Sequence, residues 1–144
     1  MQDLPHHYAV TASTESGQNV TLSSAGLEDL ESAGPAEFGG PGDLWSPETL
    51  LVAAIADCFI LSFRAITRAA RFEWLSLDCH VEGTLDRIDK VTQFTAFAIR
   101  AELVVPPGSD EAKGLALLEK AEKHCLITNS LKAPSHLDAT VRPS

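Results

Sequence analysis

The chain has 144 residues, of which 44% are hydrophobic and 22% charged, and its 20 Asp and Glu against 11 Lys and Arg give a formal charge of -9. This size fits one domain with a hydrophobic core, so we expect residues 1–144 to form a single domain. The apolar fraction excludes a wholly disordered chain. The acidic balance argues against a nucleic-acid or anionic-membrane surface, because phosphate binding needs a concentrated basic patch.

The first third of the chain predicts a hairpin followed by a long loop. Residues 8–13 and 19–24 are short and β-prone, and a polar segment separates them, which is typical of a β-hairpin. Residues 25–45 are rich in Gly, Pro, Glu and Ala and predict a loop.

An apolar helix follows the loop. Ser46 is a good N-cap, Pro47 fits the first helical position, and Glu48 favours the positive end of the helix dipole. We expect this helix to end near Arg71. From Leu50 to Phe63 it is apolar on nearly every side, so we expect the rest of the domain or a second subunit to enclose it.

The second half predicts three strands and one helix. Residues 75–82 alternate between apolar and polar side chains, and residues 91–105 predict a second, longer strand. A helix is expected from Ser109 to about His124, with Leu118, Ala121 and Cys125 on one face. Residues 135–142 predict a final strand. The whole pattern indicates an α+β fold, in which antiparallel strands pack on two main helices.

The cellular compartment is predicted from the absence of two sequence features, a signal peptide and a long apolar run. The first ten residues lack the apolar stretch of a signal peptide. The longest uninterrupted apolar run, residues 50–56, is shorter than the about 20 residues that a membrane span needs. We therefore expect a cytoplasmic protein without membrane contact, in which thiols stay reduced and a disulfide is catalytic or redox-sensing.

The three cysteines are an odd number and cannot all pair within one chain. Cys58 lies inside the apolar helix, where most cysteines are small buried hydrophobes. Cys125 ends the second helix, where we expect a more accessible thiol and where Lys123 and His124 favour a thiolate. Cys79 lies on the inward face of a strand, so we expect it to pack in the core.

Sequence motifs for zinc binding, phosphate binding and a catalytic serine are absent. The chain has no Cys-x-x-Cys and no His-Glu-x-x-His, so zinc-ligand spacing is absent. The glycines at 39–42 are not followed by Gly-Lys-Ser, and no Gly-x-Ser-x-Gly is present. We therefore expect neither a metal nor a cofactor.

Two segments carry a resemblance to a known family. Residues 46–59, Ser-Pro-Glu-Thr-Leu-Leu-Val-Ala-Ala-Ile-Ala-Asp-Cys-Phe, are similar to an Asn-Pro-Glu-x-Leu helix that ends in Cys-Phe. Residues 120–129, Lys-Ala-Glu-Lys-His-Cys-Leu-Ile-Thr-Asn, are similar to a helix that ends in Cys-Pro-x-Ser/Thr. On these segments the chain resembles the OsmC/Ohr group, the osmotically inducible and organic hydroperoxide resistance proteins, and the order of elements agrees along nearly the whole chain.

The resemblance implies a thiol peroxidase that works as an intertwined homodimer with its active sites at the subunit interface. Cys58 would attack an organic hydroperoxide, and its sulfenic acid would condense with Cys125 to a disulfide. A dithiol reductant such as a lipoyl protein would then regenerate both thiols. Glu48 matches the family's active-site glutamate, which orients a catalytic arginine. Because Glu48 lies roughly 15 Å from Cys58 along one helix axis, we expect it to serve the Cys58 of the other subunit.

Two positions depart from the family pattern. The family's catalytic arginine precedes the first helix, whereas this chain has no Arg or Lys before Arg64, and Glu37 stands near the expected place. Leu126 stands where the family has proline. Two other functions therefore remain open on the same fold. One is a non-catalytic protein that binds an apolar small molecule or senses redox state, and the other is a structural dimer whose cysteines only pack in the core.

Overall fold

The computed structural model of residues 1–144 divides into two units, Met1–Leu50 and Leu51–Ser144. The architecture is α+β, as predicted, with one three-stranded sheet in each unit. In chain order the elements are β1 (Thr11–Ser13), β2 (Val20–Ser23), β3 (Leu30–Ser32), α1 (Pro47–Ala70), β4 (Ser76–Ile88), β5 (Val91–Val105), α2 (Glu111–Lys123), α3 (Leu126–Asn129) and β6 (Ser135–Pro143).

The sheet of the first unit has the order β1-β2-β3, and both pairings are antiparallel. β1 and β2 form the predicted hairpin. β3 and one 3₁₀ turn at Ala36–Phe38 lie within residues 25–45, which were predicted as a loop. The Ala33 N–H donates to the Trp45 carbonyl at 2.9 Å, and Ser32 forms a β-bridge with Trp45. The segment between them is therefore closed at its base, in the manner of an Ω-loop.

The start of α1 confirms the predicted N-cap. The Thr49 N–H donates to Ser46 Oγ at 3.1 Å, and Pro47 takes the first helical position. Ser46 itself is buried, so this capping hydrogen bond is shielded from water.

One stripe of α1 is buried in the second unit. Ile55, Phe59, Phe63 and Thr67 follow one another at intervals of four and are at most 2% exposed. Most of the other apolar side chains of α1 are partly buried, and Leu51, Val52, Ile60, Ile66 and Ala70 pack against the core. Leu61, Ala65 and Ala69 are exposed, so a single chain encloses the helix on only part of its circumference. By length and composition alone α1 would suffice to cross a membrane, a test that the core helix of a soluble protein also passes.

The sheet of the second unit has the order β4-β5-β6. β4 and β5 form a long antiparallel hairpin, whose turn residues Asp89 and Lys90 have φ values of 50° and 69°. Two positive φ values are what a type I′ turn requires, so β4 continues to Ile88, beyond the predicted strand of residues 75–82. The predicted strand 91–105 is confirmed as β5. β6 pairs with β5 in parallel, a pairing that the sequence pattern did not indicate.

The core of the second unit lies between this sheet and the helices. The inward residues of β5, at every second position from Phe97 to Val105, are at most 2% exposed. Asp110 caps α2 by accepting a hydrogen bond from the Lys113 N–H at 3.0 Å. The buried hydrophobic core comprises Ile55, Phe59, Phe63, Phe97, Ile99, Ala101, Leu103, Val105, Leu117, Leu118 and Ala121.

Candidate functional site

Cys58 lies beside the buried stripe of α1, at the wall of an open cavity of 470 Å³. The thiol is partly exposed, and its Sγ lies 3.8 Å from the Oγ of Ser62, one turn further along the helix. Because the lining is mostly aliphatic, the cavity suits an apolar molecule. Besides Cys58, the lining residues are Ala54, Asp57, Leu61, Ser62, Ala65, Leu126 and Ile127.

Cys125 is completely buried, at 0% exposure. The prediction of an accessible thiol at the end of α2 is therefore wrong. The physical reason is that Cys125 continues the buried face of Leu118 and Ala121, both at 0% exposure, and that α3 follows directly. The predicted sharing of one face by these three residues is confirmed.

The structure brings Cys58 and Cys125 together. Burial raises the pKa of the Cys125 thiol, interaction with the backbone N–H and hydroxyl of Thr128 lowers it, and the adjacent Cys58 thiol raises it again. The Thr128 hydroxyl also donates to the Cys125 carbonyl at 3.1 Å. Leu126, which follows Cys125, lines the same cavity as Cys58. The Cys58 thiol therefore faces the open cavity, and the buried Cys125 thiol lies next to it.

Glu48 lies in the first turn of α1, within the unit Met1–Leu50. Its Oε2 atom is buried and has no hydrogen-bond partner. The unit contains no Lys or Arg, so no side-chain cation of its own is available to this carboxylate. A buried hydrogen-bond acceptor without a donor lowers the stability of the fold. The Glu48 carboxylate of this unit would therefore be stabilised by a hydrogen-bond donor.

The position near which the family resemblance expects an arginine is an exposed carboxylate. Glu37 lies in the 3₁₀ turn Ala36–Phe38, and both Glu37 and Phe38 are exposed. The folded loop around Glu37 therefore carries no Lys or Arg, as the sequence indicates.

Cys79 packs against the core from the inner face of β4, as predicted. Burial and, secondarily, the charge of Cys125 raise the pKa of Cys79 to about 11. Sequence reasoning had separated Cys79 from the other two thiols, because nothing in the spacing links a strand residue to the end of a distant helix. No group of three or more His, Cys, Asp and Glu side chains is placed to hold a metal ion.

Two sequence comparisons bear on this site. The family profile described as OsmC-like protein matches residues 40–140. Peroxiredoxin OsmC of Escherichia coli (strain K12) is 32% identical over 93 residues, which are 65% of this chain and 64% of that protein. The matched region thus spans slightly less than two thirds of the relative's length.

Solved structures share the fold over nearly the whole chain. An OsmC-like protein of unknown function from Vibrio cholerae superposes with a TM-score of 0.86 at 18% identity, covering 94% of this chain and 99% of that one. An organic hydroperoxide resistance protein from Elizabethkingia anophelis gives a TM-score of 0.75 at 21% identity, covering 98% of this chain and 100% of that one. At these identities the likeness establishes the fold.

Proposed function

The chain belongs to the OsmC-like protein family, and on that premise we propose that it is a cysteine-based peroxidase that reduces organic hydroperoxides. Family membership and the similarity to peroxiredoxin OsmC support a role in hydroperoxide resistance. The observation that carries the proposal is the arrangement of the two thiols. Cys58 lines an open apolar cavity, and Cys125 lies buried against it.

The proposed reaction has two steps on this chain. The Cys58 thiolate attacks the terminal oxygen of the hydroperoxide, the O–O bond breaks, and an alcohol leaves while Cys58 becomes a sulfenic acid. The Cys125 sulfur then attacks the Cys58 sulfur, the S–O bond breaks, and water leaves as the disulfide forms. The aliphatic lining of the cavity favours a hydroperoxide with an apolar organic group over hydrogen peroxide.

Regeneration is assigned to an external dithiol such as a lipoyl protein. Attack on the exposed side of the disulfide, at Cys58, releases Cys125 and then closes the reductant's own disulfide. This repair needs a reducing compartment, so we place the protein in the cytoplasm.

We also propose that the chain acts as a homodimer, with the exposed apolar side of α1 packed against a second copy. Glu48 and Cys58 are ten residues apart on one helix, roughly 15 Å along its axis, which is too far for direct contact. Glu48 therefore serves the Cys58 of the second copy in this proposal. The assignment follows the resemblance, in which Glu48 matches the active-site glutamate of the family, and the Oε2 atom of Glu48 has no donor within the single chain.

A disulfide map after stoichiometric oxidation tests the proposal. Trypsin places the three cysteines in separate peptides, Cys58 in residues 1–64, Cys79 in residues 72–87 and Cys125 in residues 124–132. One equivalent of cumene hydroperoxide should link peptide 1–64 to peptide 124–132 at early times, and Cys58→Ser should abolish this link. A folded wild-type protein whose Cys58 stays reduced would overturn the proposal.

A second candidate function is the binding of an apolar small molecule in the Cys58 cavity. The absence of any Lys or Arg from the unit Met1–Leu50 favours it, because a thiol without a nearby cation lacks a main cause of activation. This function predicts that an apolar ligand co-purifies with the protein and that Cys58→Ser binds it as well as the wild type does.

A further inference from the structure

The wall of the Cys58 cavity contains one carboxylate, that of Asp57, and no Lys, Arg or His. The other lining residues are aliphatic, apart from the Ser62 hydroxyl and the Cys58 thiol itself. The reaction described above does not use Asp57. A carboxylate at an otherwise apolar cavity attracts or repels any charged molecule that enters it.

The geometry of α1 places Asp57 on the cavity side of the helix, next to the thiol. The lining residues of α1 recur at spacings of three and four and therefore share one side of the helix. Asp57 precedes Cys58 in the chain and lies one turn before Leu61, which is 50% exposed. Asp57 is exposed as well, so its carboxylate belongs to the solvent-facing part of the cavity wall.

No basic side chain of the same chain is paired with Asp57. The residues three and four positions away on α1 are all apolar, namely Ala53, Ala54, Ile60 and Leu61. Arg64 shares this side of the helix, but it lies two turns away, roughly 10 Å along the axis, and does not line the cavity. The one ion pair of the chain joins Arg142 of β6 to Glu102 of β5. The charge of Asp57 is therefore left without a partner at the cavity.

The first unit of a second copy would add further negative charge. In the proposed dimer, this unit of one copy serves the Cys58 of the other. The unit Met1–Leu50 contains eight Asp and Glu residues and no Lys or Arg. It therefore brings no side-chain cation that could offset the charge of Asp57.

We propose that Asp57 sets the charge preference of the site, so that the protein reduces neutral and cationic organic hydroperoxides and discriminates against those that carry a carboxylate. This inference rests on the proposed peroxidase function, which supplies the reaction at Cys58. A substrate carboxylate in the cavity loses hydration and is repelled by Asp57, whereas an ammonium group is attracted. A hydroperoxide whose acid group is esterified therefore suits the cavity better than the free acid does.

Two substrates of similar shape and opposite charge test this preference. They are cumene hydroperoxides with a para-carboxylate or with a para-aminomethyl group, which is an ammonium near pH 7. The ratio of their rate constants for Cys58 oxidation cancels changes in the reactivity of the thiol and the general penalty for a charge in an apolar cavity. Wild type should react about tenfold faster with the ammonium compound, because attraction and repulsion about 4 Å apart in water each change a rate up to about fivefold.

Asp57→Asn should reduce this ratio to about twofold. Asp78→Asn is the matched control, since it removes the same charge from an exposed residue of β4. Leu77 and Cys79 on either side of Asp78 pack against the core, so Asp78 lies on the opposite face of the sheet and its loss should leave the ratio near the wild-type value. Raising the ionic strength from about 0.01 to 1 M should lower the wild-type ratio, because the Debye length falls from about 30 to 3 Å.

The outcomes separate this inference from the proposed function. Equal rates for the two compounds in the wild type, or an unchanged ratio in Asp57→Asn, overturn the role of Asp57 and leave the peroxidase intact. An equal loss in Asp57→Asn and Asp78→Asn assigns the preference to net charge and also overturns that role. A Cys58 that stays reduced even with neutral cumene hydroperoxide overturns the peroxidase itself. Asp57→Ala, which removes the same charge, takes the place of Asp57→Asn if that variant fails to fold.

Discussion

At the scale of single residues, the charge at position 37 is the sharpest departure from the family pattern. Glu37 is an exposed carboxylate near the place where the resemblance expects an arginine. A cation beside a thiol favours the thiolate, and lowering a thiol pKa by one unit raises the thiolate fraction about tenfold. In the proposed dimer, where the first unit of one copy serves the Cys58 of the other, we expect Glu37→Arg to raise the rate constant for Cys58 oxidation by about tenfold, measured by stopped-flow with cumene hydroperoxide.

The matched control for this substitution is Glu28→Arg, which makes the same change of charge at another exposed residue of the first unit. It should leave the rate within a factor of about two, since an exposed charge at a distance is screened by salt. An equal acceleration by both variants would show that net charge, and not the position of the cation, controls the reaction.

Thr128 tunes the second thiol of the pair. Its backbone N–H and its hydroxyl both lower the pKa of Cys125, and Thr128→Val removes the hydroxyl only. The pKa of Cys125 should then rise, so less thiolate is present near pH 7 and disulfide formation slows several-fold. Raising the pH towards the new pKa should restore the rate, whereas a merely misplaced Cys125 would stay slow at every pH.

Ser130→Ala provides the comparison for Thr128→Val. The Thr128 hydroxyl donates to the Cys125 carbonyl at 3.1 Å, and the Ser130 hydroxyl likewise donates to the Leu126 carbonyl at 2.8 Å, but Ser130 does not act on the Cys125 thiol. Disulfide formation, followed by quenching and mass mapping, should therefore proceed at the wild-type rate in this variant. Equal slowing in both variants would assign the effect to α3 as a whole.

At the scale of elements, the hairpin of β4 and β5 depends on a glycine that makes room for two aromatic rings. A Cβ at Gly83 would lie 2.8 Å from the ring of Phe94 and 3.1 Å from that of Phe97, which stack with centroids 5.2 Å apart. Gly83→Ala should therefore lower the free energy of unfolding by about 1–3 kcal/mol, measured in urea. Gly34→Ala, with no heavy atom within 4 Å of the added Cβ, should be nearly neutral.

The elements that sequence reasoning predicted well are those with local signals. Ser46 and Pro47 mark the start of α1, Asp110 marks the start of α2, and apolar residues at every second position from Phe97 to Val105 mark β5. β3 was missed because three residues, Leu30–Ser32, carry too little pattern and lack β-branched side chains. The parallel pairing of β6 was missed because it depends on contacts between segments far apart in sequence, for which periodicity holds no information.

For the candidate site, too, the sequence predicts some features and the folded chain reveals others. Cys58 and Cys125 are identified by the motifs around them, and the structure places the two thiols together. The complete burial of Cys125 could not be predicted from spacing, because it arises when the helices and the sheet pack. The orphaned oxygen of Glu48 is likewise visible only once the chain is folded.

At the scale of the whole molecule, the exposed side of α1 is the feature that a single chain leaves unexplained. Leu61 is 50% exposed on the cavity side, and Ala65 and Ala69 on the same helix are exposed as well. An exposed apolar patch beside a cavity is typical of an interaction site. The net charge of -9 opposes an anionic bilayer, and Asp57, Arg64 and Arg68 on the same helix disfavour a membrane interior, so a second copy is the better occupant.

We therefore expect the wild-type protein to have a solution mass of about 31 kDa, twice its 15.4 kDa, by light scattering coupled to size-exclusion chromatography. Leu61→Glu should shift the mass towards the monomer, because a carboxylate in an apolar interface loses its hydration without gaining a partner. Leu27→Glu, at a residue 69% exposed in a turn of the first unit, should stay dimeric. Because Glu48 is proposed to act on the Cys58 of the second copy, Leu61→Glu should also slow Cys58 oxidation. Leu61 lines the Cys58 cavity as well, so the new carboxylate disfavours the thiolate directly, and only the part of the rate that returns at higher protein concentration reports on the dimer. A monomeric wild type with full peroxidase activity would contradict both the dimer and the role of Glu48 between subunits.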